Sequence, residues 1–370
     1  MAVVITEYLP THEPQASAFN ARMRDHNIKF TLDATATSRW LPKLPGRPVY
    51  IESFLALEEA EVRGGYKLRQ QNFSHQGKTL PVGNYQGPVS EAAYDRKYLM
   101  VGVQMLRTAL RQQPCLYALG MGGTQQPLPK LLAASGWTLG LIPFLYKILH
   151  PANCLRNLQA VRRTAPRRWA MDLAASTGIG TLGINCLNQW RTKKCPPAEY
   201  VCMPVSRFEE WADTLWDAVK AEYFFSAVRD RANQATLYPE ANQTNLKLRI
   251  QKNGADIGWA VVRNTRMKDD KYFGNLQLGS VVDCLARSGE EPAVVAQATH
   301  YLQSAGADLV ITNQSHERWV RGFQHGGYGV GPSNFALACS PKLVGQLGAP
   351  EKFLSQIHFN RGDGDGPIHL

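Results

Sequence analysis

The sequence predicts a duplicated mixed α/β fold, two copies of one domain built on a mixed sheet, and three observations carry that expectation. The chain has 370 residues, enough for two cores. Its hydrophobic pattern runs through the same order of elements twice. Between the two passes lies a stretch of different composition, rich in basic residues.

The elements follow in matched pairs. Residues 13–26 carry Ala16, Phe19 and Met23 at i, i+3 and i+7, one face of a helix, and residues 208–223 carry Trp211, Leu215, Trp216 and Val219 on a similar face. A hairpin follows each helix. In residues 50–73 the corner is Glu58-Glu59; in residues 246–265 it is Asn253-Gly254, a strong tight-turn signal. Next comes a strand and then a helix: 78–85 and 96–112 in the first half, 275–286 and 292–304 in the second, where Pro292 suits a first helical turn. Short apolar strands at 115–119 and 308–312 each lead to a helix that stops at Gly136-Trp137 or Gly327-Tyr328. Each half is expected to close on a strand of its own, at Pro143–Tyr146 and Pro332–Phe335. The order β-α-β-β-β-α-β-α-β, with the first strand left open, therefore occurs twice. It implies a first domain at 1–155, a linker at 156–200, a second domain at 201–345 and a tail at 346–370.

Composition narrows the setting. With 44% hydrophobic and 19% charged residues the chain reads as an ordinary globular protein. Its seven cysteines are scattered, with no CxxC pair, which argues against a disulfide framework or a zinc knuckle and fits a reducing cytoplasm. Residues 1–8 lack a basic region followed by a long apolar run, so export is not expected. The formal charge of +11 is concentrated: Arg156, Arg162, Arg163, Arg167, Arg168, Arg191, Lys193 and Lys194 face a single acid, Asp172, between Arg156 and Cys195. Such a field attracts polyanions, among them an anionic membrane face, an acidic carrier protein or a phosphorylated cofactor; no specific nucleic acid is expected. A solvated linker without a partner is the plain alternative. Within it, residues 169–190 are mildly apolar with Trp at both ends and cations outside, a pattern of peripheral membrane contact. Asp172, Asn185, Asn188, Gln189 and three glycines argue against a full span.

The repeated order resembles the GNAT (Gcn5-related N-acetyltransferase) fold, and residues 77–146 look most like the central part of that family. In the family a strand is followed by a glycine-bearing loop that opens a helix, whose backbone N–H groups hold the pyrophosphate of acyl-CoA. Here the matching stretch is YDRKYLMVGVQMLRTAL: Gly102 stands at the last glycine, Met100 replaces the preceding one and Leu99 the usual basic residue. The resemblance implies an acyl-CoA or acyl-carrier donor in the first domain, with Arg96 and Lys97 as phosphate-facing charges and Gly120, Gly122 and Gly123 of LGMGGTQQP as a ligand-facing loop. In the second half the same place reads RSGEEP, where Glu290 and Glu291 repel an anion, so that domain is expected to have lost donor binding. The tandem arrangement is also similar to Fem-type aminoacyltransferases and related two-domain acyltransferases, although the long charged helical hairpin of the Fem type is missing.

Acyl transfer to an amine needs a base, an oxyanion donor and a proton for the leaving thiolate. Candidate bases are Glu52, Glu91, Asp283 and His316, and candidate proton donors are Tyr117 and Tyr328. Asn313, Gln314, Tyr328 and Asn334 are candidates for acceptor binding, because ligands of α/β sheets sit beyond the carboxyl ends of strands. A core or capping role is the alternative for each of these residues. Cys284 reads as a small buried hydrophobe. The tail's Asp363 and Asp365 lack the downstream Glu of a calcium loop, so no metal is expected and an ordered tail covering a cleft is the better reading. The function implied is an N-acyltransferase acting on a small amine, on a sugar or cell-envelope precursor. The rivals are an aminoacyltransferase and a non-catalytic scaffold, and the expected location is cytoplasmic, peripheral on the inner membrane face.

Overall fold

The structure, a computed structural model, describes residues 3–159, 162, 165–193, 199–348 and 353–364. Arg163, Lys194, Cys195 and Asp365 lie outside the described residues, as does the side chain of Arg168. In chain order the elements are β1 (Val4–Glu7), α1 (Glu13–Asp25), β2 (Tyr50–Glu58), β3 (Glu61–His75), β4 (Lys78–Ser90), α2 (Leu99–Gln112), β5 (Leu116–Leu119), α3 (Pro127–Ala134) and β6 (Thr138–Leu141). Then come β7 (Phe144–Ile148), α4 (Pro151–Asn157), α5 (Ala165–Ser176) and α6 (Ile179–Arg191). The second pass holds β8 (Tyr200–Val205), α7 (Glu210–Val219), β9 (Phe225–Ala227), α8 (Arg231–Leu237), β10 (Leu246–Lys252), β11 (Ala255–Arg266), β12 (Gln277–Ala286), α9 (Glu291–Ser304), β13 (Leu309–Asn313) and α10 (Glu317–His325). The chain closes with β14 (Gly329–Gly331), β15 (Ala336–Cys339), α11 (Pro341–Leu347) and β16 (Ile357–His358).

Two compact units emerge, and neither is continuous in sequence. The first takes Met1–Leu141 and Asn334–Lys352; the second takes Ile142–Ser333 and Phe353–Leu370. The first sheet has the order β1-β2-β3-β4-β5-β15-β6, the second β8-β10-β11-β12-β13-β7-β14. Position by position the pairings agree: antiparallel throughout, apart from one parallel pair, β4 with β5 and β12 with β13.

The sixth position corrects the sequence reading. Residues 143–146 were expected to close the first half, yet β7 lies in the second sheet, between β13 and β14. Residues 332–335 were expected to close the second half; the strand there is β15, four residues later, and it sits between β5 and β6 of the first sheet. A strand of four or five residues carries no mark of which sheet it will join, so local pattern does not decide this. The basic stretch also differs from a plain linker, since α5 and α6 build two helices into it.

Local chemistry explains the rest of each sheet. At the β10–β11 corner Asn253 and Gly254 take φ of 50° and 79°, the left-handed pair that a two-residue hairpin turn demands. In the first unit α2 buries Val101, Met105, Leu106 and Ala109 against Tyr66, Leu68, Tyr85 and Leu116 of the sheet. On the opposite face α1 buries Ala16, Phe19 and Met23 against Leu55, Val62 and Val89. Truncating a side chain as buried as Met105 or Leu106 to Ala costs about 2–5 kcal/mol, so this stripe fixes α2 on the sheet.

Candidate functional site

In each of the two seven-strand orders the one parallel pair is short and then opens. β4 and β5 pair only at Gly83–Leu116 and Asn84–Tyr117, and β12 and β13 only from Leu278–Leu309 to Ser280–Ile311. Each longer strand also carries a β-bulge just past the pairing. Gly87 and Pro88 of β4 lie opposite the single residue Tyr66, and Val282 of β12 is the extra residue between the Val281–Val262 and Asp283–Val261 pairs. A bulge bends its strand and re-aims side chains, and a parting of parallel strands beyond their carboxyl ends is where α/β sheets receive ligands.

The first unit sets a polar row across this parting. Ile51, Arg69, Asn84 and Tyr117 are in cross-strand register and therefore share one face of the sheet, the face that carries α1. Arg69 and Tyr117 are almost wholly buried, and the Arg69 guanidinium donates to the Tyr117 hydroxyl at 2.8 Å. Sequence reasoning named Tyr117 but missed Arg69; in YKLRQQNF nothing distinguishes an inward strand arginine from an outward one. Glu52, one residue from Ile51, points to the opposite face, where it is held by Lys43 at 2.7 Å and Gln70 at 3.0 Å. Tyr117 and Glu52 are thus not brought together. Glu91 is also tied up: it is buried after β4, with Arg22 at 2.6 Å and Arg63 at 3.1 Å on its two oxygens.

Around the same parting lie the glycine loop and the start of α2. Gly120, Gly122 and Gly123 all have positive φ, 80°, 75° and 99°, so the loop after β5 needs glycine for its path. At Gly120 a Cβ would press to 3.0 Å on the Phe335 ring, and Asn334, expected with the second half, borders Gly123 in this unit. α2 continues directly from the single turn Arg96–Tyr98, which Asp95 caps by accepting from the Lys97 N–H at 3.1 Å; the first N–H of α2, on Leu99, donates to the Arg96 carbonyl, and Arg96 and Lys97 stand exposed in that turn. Lys97 pairs with Asp95 at 3.1 Å, whereas Gly102 faces open space apart from Leu131 at 3.9 Å. The approach to the helix is basic and exposed, with Asp95 as its cap.

The second unit fills its parting with its own chain. Backbone N–H of Ser315 donates to the Phe359 carbonyl at 3.0 Å, Phe359 N–H donates to Ser315 Oγ at 2.8 Å, and Gln314 bridges Asn360 in antiparallel fashion. Arg361 donates to Asn313 Oδ1 at 3.0 Å. Asn360 Nδ2 donates to Asp283 at 2.7 Å, and a side chain at Gly362 would strike Tyr238 and Asp283. Asp283 is fully engaged: Arg229 at 2.9 Å, Tyr238 at 3.2 Å and the Cys284 N–H at 2.8 Å complete its partners, and Arg229 reaches Asp363 at 2.8 Å. Burial works against the Arg229 charge, but Asp283 and Asp363 outweigh it and hold its pKa above the ordinary value. Asp363 therefore belongs to an ion cluster; among the described residues no group of three or more His, Cys, Asp or Glu is placed to hold a metal.

The remaining second-unit candidates are structural neighbours of this cluster. His316 caps α10, its Nδ1 accepting from the Arg318 N–H at 3.2 Å, and burial, helped by Arg318 and Arg321, pushes its pKa down to about 3. Gln314 donates to Thr312 Oγ1 at 3.0 Å, and Asn313 to the Pro143 carbonyl at 3.3 Å. The hydroxyl of Tyr328 meets Thr299 at 2.8 Å within the core, away from the parting. At the start of α9, Glu290 pairs with Lys252 at 2.7 Å, and Glu291 is buried with its pKa raised, first by desolvation. Arg318 lies 3.5 Å from Glu291, so this helix start is taken up by ion pairs.

Comparison with known proteins agrees with this architecture. Neither a protein-family model nor a curated protein matches the chain. Among solved structures, a conserved protein of unknown function from Enterococcus faecalis V583, described as a probable N-acyltransferase, is similar with TM-score 0.54 and 10% identity, over 93% of this chain and 74% of that one. A GCN5-related N-acetyltransferase from Anabaena variabilis ATCC 29413 is similar with TM-score 0.54 and 11% identity, over 91% and 72%. A GCN5-related glucosamine N-acetyltransferase region of a fungal multi-domain GH3 β-N-acetylglucosaminidase gives TM-score 0.50 and 13% identity, over 91% of this chain and 38% of that one. The likeness is one of fold.

Proposed function

With a GNAT-type mixed α/β fold present twice as the premise, we propose that the protein is an N-acyltransferase whose first unit binds an acyl thioester, acyl-CoA or an acyl carrier, and passes the acyl group to a small amine. The observation that supports this reading is the contrast between the two partings. In the first unit Arg96 and Lys97 stand exposed in the turn that leads into the helix beside the parting; in the second, residues 357–363 occupy the opening and the helix starts on Glu290, paired with Lys252, and the buried Glu291. One copy keeps exposed cations at the helix start, where an anionic donor would bind, and the other has exchanged that opening for packing.

The chemistry assigned to the first unit is short. The amine nitrogen attacks the thioester carbonyl, the C–N bond forms and the C–S bond breaks, and Tyr117 protonates the departing thiolate. Arg69, donating to the phenolic oxygen, stabilises the charge left behind. No carboxylate belongs to the row Ile51–Arg69–Asn84–Tyr117, so the amine loses its proton to water. A sugar amine is the first acceptor to try, given the glucosamine-directed neighbour; amines of cell-envelope precursors follow.

Titration calorimetry of the full chain with CoA and acetyl-CoA at low salt tests the donor site, alongside thiol release with glucosamine and a panel of amino acids. Binding that weakens at least tenfold in the R96E/K97E variant supports the assignment. Binding that this variant leaves unchanged would move the donor elsewhere. If neither CoA, acetyl-CoA nor an acylated carrier binds, the enzyme reading fails and the fold serves as a scaffold.

A further inference from the structure

α5 and α6 form a helical pair joined by the two residues Thr177 and Gly178, the latter at φ 76°. The inward side of α6 is set by Gly180, where a Cβ would collide with Leu155 at 2.7 Å, and by Asn188, which donates to the Ile148 carbonyl at 2.7 Å. Its outward side is therefore the row Ile179, Leu182, Cys186 and Trp190, at i, i+3, i+7 and i+11. Ile179, Leu182 and Trp190 are 72%, 67% and 83% exposed, and Trp169 and Leu173 of α5 are 70% and 46% exposed. Scattered surface apolar residues mean little, but a continuous row of this kind marks a contact surface.

Charge is distributed along the pair in one direction. Residues 173–190, the turn and the helix arms nearest it, contain no charged side chain. At the other end Arg167, Arg191 and Lys193 are exposed beside Trp169 and Trp190. The single acid, Asp172, is neutralised by a two-bonded pair with Arg162 at 2.7 and 2.9 Å. An uncharged tip with an apolar row, then tryptophans, then cations follows the order in which a bilayer presents acyl chains, interface and headgroups. α6 has 13 residues, about 20 Å of helix, short of a hydrocarbon core of about 30 Å, and among the described residues no helix is long and apolar enough to cross a membrane.

We infer that the α5–α6 pair is a membrane-surface anchor: the tip and its apolar row enter the outer part of an anionic bilayer leaflet while Arg167, Arg191 and Lys193 meet its headgroups. The charge pattern points to an anionic lipid surface, because the exposed cations gather at one end of the pair, at the level where headgroups would lie, and the turn end carries none. The inference stands apart from the acyltransferase reading and does not need a working donor site.

Flotation of the full chain with vesicles of phosphatidylcholine alone, or with 30% phosphatidylglycerol, tests it. The expected result is partitioning into the anionic vesicles at least tenfold stronger than into neutral ones, falling as salt is raised. R191Q and K193Q should each cost about fivefold. W169S/W190S should reduce partitioning at least tenfold, while F30S, at an equally exposed apolar position elsewhere, leaves it unchanged. Failure to float with either vesicle overturns the proposal, as does equal binding to both. Light scattering on the eluting protein covers the remaining case: a dimer that W169S/W190S converts to monomer, without vesicle binding, assigns the row to a second copy instead.

Discussion

Arg229 and Asp283 form an ion pair of 2.9 Å in which each side chain is at most 3% exposed, and Asp363 at 2.8 Å adds a second carboxylate to the same guanidinium. A buried pair contributes little over an apolar substitute, but one partner left alone is costly. Arg229→Met leaves two facing carboxylates in the interior. It is expected to cost about 3–5 kcal/mol in urea unfolding followed by circular dichroism. Asp283→Asn keeps Asp363 on the arginine and should cost less. The reverse ranking would show that Asp283, through its bonds to Tyr238, Asn360 and the Cys284 N–H, and not the arginine charge, holds the cluster together.

The two histidines beside this cluster make stability depend on acid. His316 is pushed down to about 3, and His358, stacked between Tyr223 and Trp319, is pushed well below 6.5 by burial, with Arg229, His316 and Arg318 adding to it. Folding thus favours the neutral rings. Above pH 6.5 nothing is lost; below it the unfolded chain takes up protons that the folded one refuses, and stability falls. Each histidine contributes about 1.4 kcal/mol per pH unit in that range. Urea midpoints at pH 7.5 and 5.5 measure this, and His358→Phe, which keeps a ring in the stack, should reduce the pH dependence by about half.

A fragment covering residues 1–155 should not fold on its own. Without β15 nothing connects β5 to β6, and the backbone groups of both strands lose their partners. Its amides are expected to exchange hydrogen rapidly from residue 116 onward. Slow exchange across β5 and β6 in the isolated fragment would show that the first sheet closes without the later strand.

In the acyl-transfer reading, Tyr117→Phe removes the proton donor and leaves the Arg69 side chain without its phenolic acceptor. The expected outcome is a fall in kcat of about 100-fold with KM nearly unchanged. An unaltered kcat would leave the pair a packing contact.

Much of this architecture was readable from residue patterns because its determinants are local. The Asn253-Gly254 turn, the α2 stripe through Met105 and Leu106, and the carboxylates at Glu290 and Glu291 each announce themselves within a few residues. The exchange of β7 and β15 was not readable, since an apolar strand such as LYKI or ALAC fits either sheet and only the folded chain selects one. The site shows the same divide. Tyr117 stands out beside its glycine loop, whereas Arg69 and Arg229 acquire their roles from partners 48 and 54 residues away. Ranked by sequence alone, Glu91 and Asp283 looked free to act; their arginines are too distant in the chain to be seen.

The placement of β15 also bears on how the protein is made. On a ribosome the segments β5 and β6 emerge about 200 residues before the strand that must lie between them. At 5–20 residues per second that interval is roughly 10–40 s. Throughout it the nascent first sheet carries two unsatisfied edges, a window in which a chaperone, or an early pairing with the wrong strand, decides the fate of the chain.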